Sequence, residues 1–230
     1  SCTCFADYND RQMYVYQDVE KWAGEGLIDE LYPMIYAATA EEHIERADEI
    51  AAGIGESCRL VLGLGTYDGQ TPAIVSEQAV YNRTAGGNGN SIFALPYTQV
   101  FGFDRLYAEG LYRTPAVHTD DCGAAMPAFL TELCETIDST YLYLCPDCGA
   151  ERIREKIAAA ADELAGLGGA ADDESRLAYW QQAAQTMRSL REALDEAGVE
   201  ARVQADLLDR MAYIEQIIAR NIAAVQRRLR

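Results

Sequence analysis

Four apolar, strand-like segments recur at roughly 28-residue intervals in the first half of the chain, and each is followed by a helix-like segment. The strand-like segments are SCTCFAD (1–7), LYPMIYA (31–37), RLVLGLGT (59–66) and SIFALPY (91–97). Between them, residues 15–26 read as a short helix with Trp22 among its apolar positions. Residues 40–53 begin with Glu41 and Glu42, acids that complement the helix dipole, and Gly53 is the expected stop. Thr71-Pro72 opens a third helix to about residue 85, with proline at the first helical position. A fourth, short helix is expected at 103–110. Strict strand–helix alternation means crossover connections, and crossovers make parallel strands. The near-continuous apolar runs at 59–64 and 91–95 predict a sheet covered on both faces.

Four such units match half of a (β/α)8 barrel, and they also suffice for a small open doubly wound sheet. A closed barrel needs about 250 residues, and the whole chain has 230. The doubly wound alternative lacks the G-x-G-x-x-G turn that would mark a dinucleotide site. Gly63-Leu64-Gly65 is not such a turn, and its glycines are read as letting the strand approach a neighbour. The chain opens inside a strand, which reads as a fragment or processed product.

From about residue 119 the period becomes helical. Met126, Phe129, Leu130, Leu133, Ile137, Tyr141 and Leu144 form one apolar stripe. After a turn at 145–149, a helix runs from 150 to about 164. Leu177, Trp180, Ala184, Met187, Leu190 and Leu194 form a further stripe, stopped by Gly198. Val203, Leu207, Met211, Ile214, Ile218, Ile222, Val225 and Leu229 form the last, in steps of three and four. Short connections imply antiparallel neighbours. The expected fold is therefore α/β followed by all-α: a partial TIM-like barrel over residues 1–115 and an antiparallel helical bundle over 116–230.

The chain carries 37 acidic against 19 basic residues, a formal net charge of −18. Such a field repels phosphates, so nucleic acid and anionic membrane surfaces are poor partners. No apolar run reaches the ~18–20 residues of a membrane span. Seven cysteines rule out a complete internal disulfide set. Cys145-Pro-Asp-Cys148-Gly149 has the form of a zinc-knuckle turn, yet no second C-x-x-C or H-x3–5-H pair exists to complete four ligands. A local disulfide or a turn with free thiols is the main expectation there, and no cofactor or metal is expected. His43 is read as lying on a solvated helix face, and His118 in a connecting segment. Asn82-Arg83-Thr84 spells a glycosylation sequon that falls in mid-helix.

The segment YQDVEKWAGEGLIDELYPMIY (16–36) resembles the bacterial glycosyl hydrolase-like family 10 proteins. That family has an S-x-x-x-F-x-D strand, a Q-D-W-x-x-W helix, and then G-x-x-D-x-x-x-P-M-x-Y. Matching residues here are Ser1 to Asp7, Gln17-Asp18 to Trp22, and Gly26, Asp29, Pro33, Met34 and Tyr36. Val19 departs from the family's tryptophan. A G-x-G-x-Y strand end matches Gly63, Gly65 and Tyr67, and a looser match lies around Phe93 to Tyr97. The resemblance covers about residues 1–115. It implies the last four units of a TIM-like barrel, a parent protein that cleaves glycosidic bonds in a polysaccharide or oligosaccharide, and a secreted or cell-surface location. Met34-Ile35-Tyr36 is also similar to the M-x-Y strand end of chitinase-like barrels, where an aspartate follows; here Ala37 follows.

In a barrel the working residues sit at the C-terminal ends of the strands. Those ends are Phe5-Ala6-Asp7, Tyr36, Thr66-Tyr67-Asp68 and Pro96-Tyr97. Tyr36, Tyr67 and Tyr97, with Phe5, are the candidate substrate-binding residues, because aromatic faces pack on sugar C–H faces and phenols bind sugar hydroxyls. Glycoside hydrolysis needs paired carboxyl groups. Asp7 and Asp68 are the candidate catalytic acids at the rim, and the main acid is expected on the missing half. The isolated chain is expected to be inactive. Alternatives are a non-catalytic carbohydrate-binding or scaffold protein, and an interaction module working through the helical tail. Self-association is expected through open sheet edges or the C-terminal helices.

Overall fold

The computed structural model describes residues 1–67, 69–84, 86–114 and 117–230. The chain divides into two compact units, Ser1–Pro115 and Ala116–Arg230. The first is α/β. Strands β1 (Cys2–Phe5), β2 (Glu30–Met34), β3 (Arg59–Gly65) and β4 (Gly89–Phe93) form one parallel sheet in the order β1-β2-β3-β4. Registers are Cys2↔Leu31 to Phe5↔Met34, Glu30↔Arg59 and Leu31↔Leu60, then Val61↔Gly89 to Gly65↔Phe93. The order has no reversal, so the crevice at which a doubly wound sheet binds its ligand has no counterpart among these four strands.

Helices α1 (Val19–Gly24), α2 (Ala40–Ile54) and α3 (Pro72–Thr84) follow the first three strands. Asp18 caps α1 by accepting from the Lys21 N–H, and Thr39 caps α2 by accepting from the Glu42 N–H. The expected stop at Gly53 moves to Gly55, where φ is +54°. Gly53 stays helical, and a Cβ there would meet the Glu20 side chain at 3.1 Å. Leu31, Leu60, Leu62 and Leu64 are fully buried on the helix side of the sheet. They pack with Val19, Ala23, Ala47, Ile50 and Ile54, and, near Leu64, with Val75, Ala79 and Phe103.

Coverage of the second sheet face is partial. On it Arg59, Gly63 and Gly65 of β3 are buried, whereas Phe5, Tyr32, Met34, Val61 and Phe93 are only partly buried or exposed, and no β4 residue is buried. The apolar run at 91–95 misled because it belongs to two elements. Strand β4 ends at Phe93, and α4 (Leu95–Val100) begins within the segment expected to be strand. Pro96 explains the break: it cannot donate to a ladder, and its fixed φ suits a first helical turn. Helix α5 (Phe103–Leu106) then runs into a π-helical turn, Tyr107–Leu111.

A second correction concerns His43, which is fully buried rather than solvated. Its Nε2 donates to Asn82 Oδ1 at 2.6 Å, and Asn82 Nδ2 donates to Asn90 Oδ1 at 2.5 Å. This chain ties α2 to α3 and β4, and it consumes the sequon asparagine, which is 2% exposed.

The second unit is all helix. Helices α6 (Cys122–Thr136), α7 (Leu142–Leu144), α8 (Ala150–Gly166), α9 (Asp173–Glu196) and α10 (Ala201–Arg228) share one core. Helix α6 packs on α8, and α9 on α10. The apolar stripes match residues that are buried in the core or partly buried against it, except at Leu144 and Leu229, which are exposed. A π-helical turn at Ile137–Tyr141 supplies the reason for Leu144, because its extra residue rotates whatever follows it. Among the described residues, no helix is long and apolar enough to cross a membrane.

Two outcomes follow from this packing. Strands β1 and β4 end the sheet on each side. The Gln17 side chain takes the Phe5 N–H and the Thr3 carbonyl of β1, which leaves β4 as the edge that can template association. Sedimentation of the isolated chain should show dimers or larger species rather than a monomer. Burial pushes the His43 imidazole below its ordinary range, with Arg46 adding to this and the Asn82 hydrogen bond opposing it. A neutral His43 therefore contributes stability that is full above about pH 6.5 and is lost as pH falls from there toward the lowered folded value. Denaturant unfolding between pH 7 and 5 should show this loss, and His43→Gln should flatten it.

Candidate functional site

Strand β3 carries glycine at 63 and 65, alternating with the buried leucines of the helix side. On the open face, rings fill the space that side chains would take. A Cβ on Gly63 would lie 2.5 Å from the Pro33 carbonyl oxygen and 3.2 Å from the Tyr36 ring. A Cβ on Gly65 would lie 2.7 Å from the Tyr67 ring. The glycines thus admit both a close neighbouring strand and two tyrosine rings.

Tyr36 itself adopts φ +40°, a left-handed conformation that bulky residues rarely take. Its position is fixed by neighbouring groups. Tyr67 Oη donates to the Tyr36 carbonyl at 3.0 Å. The next carbonyl, of Ala37, accepts from Gln70 Nε2 at 2.8 Å and from Gln78 Nε2 at 3.0 Å. Arg46 donates to the Ile35 carbonyl. The end of β2 is therefore turned outward and held by side chains of the β3–α3 region and α2. Burial raises the Tyr36 phenol above its ordinary range, with the Tyr67 phenol adding to the effect.

The three predicted tyrosines lie together. Tyr36 and Tyr67 meet edge to face with centroids 6.4 Å apart, and Tyr67 meets Tyr97 at 6.4 Å in the same manner. Phe93 lies 5.3 Å from Tyr36 and 6.2 Å from Tyr97, and Phe101 extends the chain 6.4 Å beyond Tyr97. These separations are those of mutually packed rings. Tyr97 reaches the cluster from the first turn of α4, not from a strand end. Phe93 and Phe101 take the part expected of Phe5, which lies at the far end of the sheet on β1 and is not in this chain of rings. Phe93, Tyr97 and Phe101 are each more than 40% exposed, so the cluster has an open side.

The candidate acids are not brought to the rings in the same way. Asp7 Oδ1 accepts from the Asn9 N–H at 2.8 Å and the Asp10 N–H at 3.1 Å, a local turn-capping task. Asp68 lies outside the described residues. Glu42, at the start of α2, accepts from the Ala38 N–H and pairs with Arg46 at 2.7 Å. The sequence reading missed Arg11, which is fully buried. Arg11 donates to the Ala6 carbonyl at 2.5 Å and pairs with Glu20 at 2.7 Å. Nothing in the local pattern marks it, because arginine in a polar loop reads as solvated. Burial pushes the neighbouring Cys4 thiol up to about 12, against the opposing pull of Arg11.

Cys145 and Cys148 form a four-residue turn, with the Cys148 N–H bonded to the Cys145 carbonyl at 3.0 Å. Both are free thiols, not a local disulfide. Among the described residues, no group of three or more histidine, cysteine or acidic side chains could hold a metal ion. No protein-family model, curated protein or solved structure matches the chain.

The glycine slots separate two substitutions. Gly65→Ala meets the edge of a movable ring, whereas Gly63→Ala meets backbone, so Gly63→Ala should be the more destabilising. Overpacking of this kind costs about 1–3 kcal/mol, and thermal melts of the two variants compare them directly.

Proposed function

We propose that this chain belongs to a glycoside hydrolase-like protein and binds a polysaccharide or oligosaccharide at the ring cluster. The observation that carries this is the convergence of Tyr36, Tyr67 and Tyr97 with Phe93 at the C-terminal edge of a parallel sheet. Parallel α/β folds place their sites at that edge. Exposed ring faces beside phenolic hydroxyls suit the C–H faces and hydroxyls of sugars. The acidic charge selects a neutral glycan over an anionic one.

In this reading the four units are the last four of a (β/α)8 barrel, as the family resemblance implies. The strictly sequential strand order supports it, and so does a sheet face left partly uncovered, as the interior face of an incomplete barrel would be. The helical unit is then an antiparallel bundle appended to the barrel, and the protein is secreted or on the cell surface. Cleavage of glycosidic bonds belongs to the whole protein, with its principal acid outside this chain.

A second reading, a non-catalytic carbohydrate-binding protein with a helical interaction tail, is favoured by one observation: Asp7 is engaged as a cap. Calorimetric titration of the 230-residue chain with neutral oligosaccharides tests the binding that both readings share. Tyr97→Ala, at an exposed ring, should weaken binding roughly tenfold, about 1.4 kcal/mol. Absence of binding to any neutral glycan overturns the assignment, and hydrolysis by this chain alone overturns the placement of the acid elsewhere.

A further inference from the structure

The loop between β1 and α1 carries a second aromatic surface outside the ring cluster. Met13, Tyr14 and Tyr16 are 69%, 77% and 79% exposed. Large apolar groups so exposed and so close in sequence mark contact surfaces. Yet the loop that presents them is strongly anchored. Asp7 caps its first turn, and buried Arg11 fastens its middle to the Ala6 carbonyl and to Glu20. The Gln17 N–H donates to the Arg11 carbonyl at 2.8 Å, closing the π-helical turn Asp10–Tyr14 back on itself. The Gln17 side chain accepts from the Phe5 N–H and donates to the Thr3 carbonyl, tying the far end of the loop to β1.

Backbone geometry links this surface to the ring cluster. Among the described residues, only Tyr16 and Tyr36 are non-glycine residues with positive φ, at +56° and +40°. Tyr36 stands two residues past the end of β2, and Tyr16 lies in the connection from the end of β1 to α1, β1 and β2 being adjacent parallel strands. Bulky residues held in this region cost energy and concentrate at ligand sites. With neighbouring strands about 4.8 Å apart, the edge from β1 to β4 spans about 14 Å, which is longer than one sugar ring.

We propose that Tyr14 and Tyr16 form a second saccharide subsite on this edge, so that the ligand is an extended neutral glycan chain rather than a single sugar. This rests on the reading of the ring cluster as a saccharide site. Rings presented on a prearranged loop bind without the entropic cost of ordering them. Residues 7–20 hold four acids, Asp7, Asp10, Asp18 and Glu20, against the single base Arg11. That balance disfavours anionic glycans and nucleic acid, so among glycans the neutral ones match.

The test compares neutral oligosaccharides of two and six sugar units, from the cellulose and chitin series, by calorimetry on the full chain. The six-unit ligand should bind at least tenfold more tightly than the two-unit ligand. The double variant Tyr14→Ala/Tyr16→Ala should lose that gain while keeping the two-unit affinity, whereas Tyr97→Ala should weaken both. Circular dichroism checks that each variant is folded. If short ligands bind and the length gain survives in the double variant, or never existed, the second subsite is overturned while the ring-cluster reading stands. If no glycan binds, both fall. If the double variant binds glycans unchanged but becomes monomeric in sedimentation, the patch is a protein contact and the proposal is overturned.

Discussion

The arrangement at the sheet edge depends on an absence: strand β3 has no side chains at Gly63 and Gly65 on its open face. With even a methyl group at 63, the carbonyl of Pro33 would collide with it at 2.5 Å. Strand β2 would then stand further off, and the turn that carries Tyr36 outward would lose its seat. With a methyl group at 65, the Tyr67 ring would be displaced, and with it the hydroxyl that holds the Tyr36 carbonyl. Close packing leaves no slack to absorb such shifts. The opposite face of the same strand is conventional, with Leu60, Leu62 and Leu64 sealed under helices. One strand thus separates a dry, apolar side that holds the unit together from a side kept clear for rings.

Polar groups complete what the glycines begin. The carbonyls at 35, 36 and 37 leave the β2 ladder, and Arg46, Tyr67, Gln70 and Gln78 supply the hydrogen bonds they would otherwise lack. An unpaired buried carbonyl is costly, so these side chains hold an outward turn that the backbone alone would not keep. Arg11 does comparable work in the preceding loop, where one buried guanidinium with Glu20 takes the place of a local apolar core. Removing either partner would strand a charge, which is why such pairs define a conformation more than they add net stability.

Much of this was legible in the residues. Strand–helix alternation located all four strands and the parallel sheet, since 28-residue spacing leaves room for little else. The helical stripes located the second core, because buried positions on a helix must recur every three or four residues. Tyr36 and Tyr67 were readable as strand-end residues by position alone. The failures have physical causes. Pro96 begins a helix inside an apolar run, so Tyr97 arrives from a helical turn. His43 looks solvated beside Glu41, Glu42 and Glu45, but its own helical position faces α3, where Asn82 accepts from its Nε2. Partners 39 residues apart leave no local trace, and neither does the burial of Arg11, which depends on Glu20 and on a strand-end carbonyl.

The buried amide of Asn82 bears on how the protein can be produced. Its side chain is committed to His43 on one side and Asn90 on the other. A host that attaches sugars to Asn-x-Ser/Thr sites acts on the chain as it enters the secretory compartment, before that pocket has closed. A glycan placed there would be too large and too polar for the pocket, and α2, α3 and β4 could not come together around it. In such a host, glycosylation at Asn82 and folding of the first unit become competing fates of each molecule, and the mass of the soluble product records which of them came first.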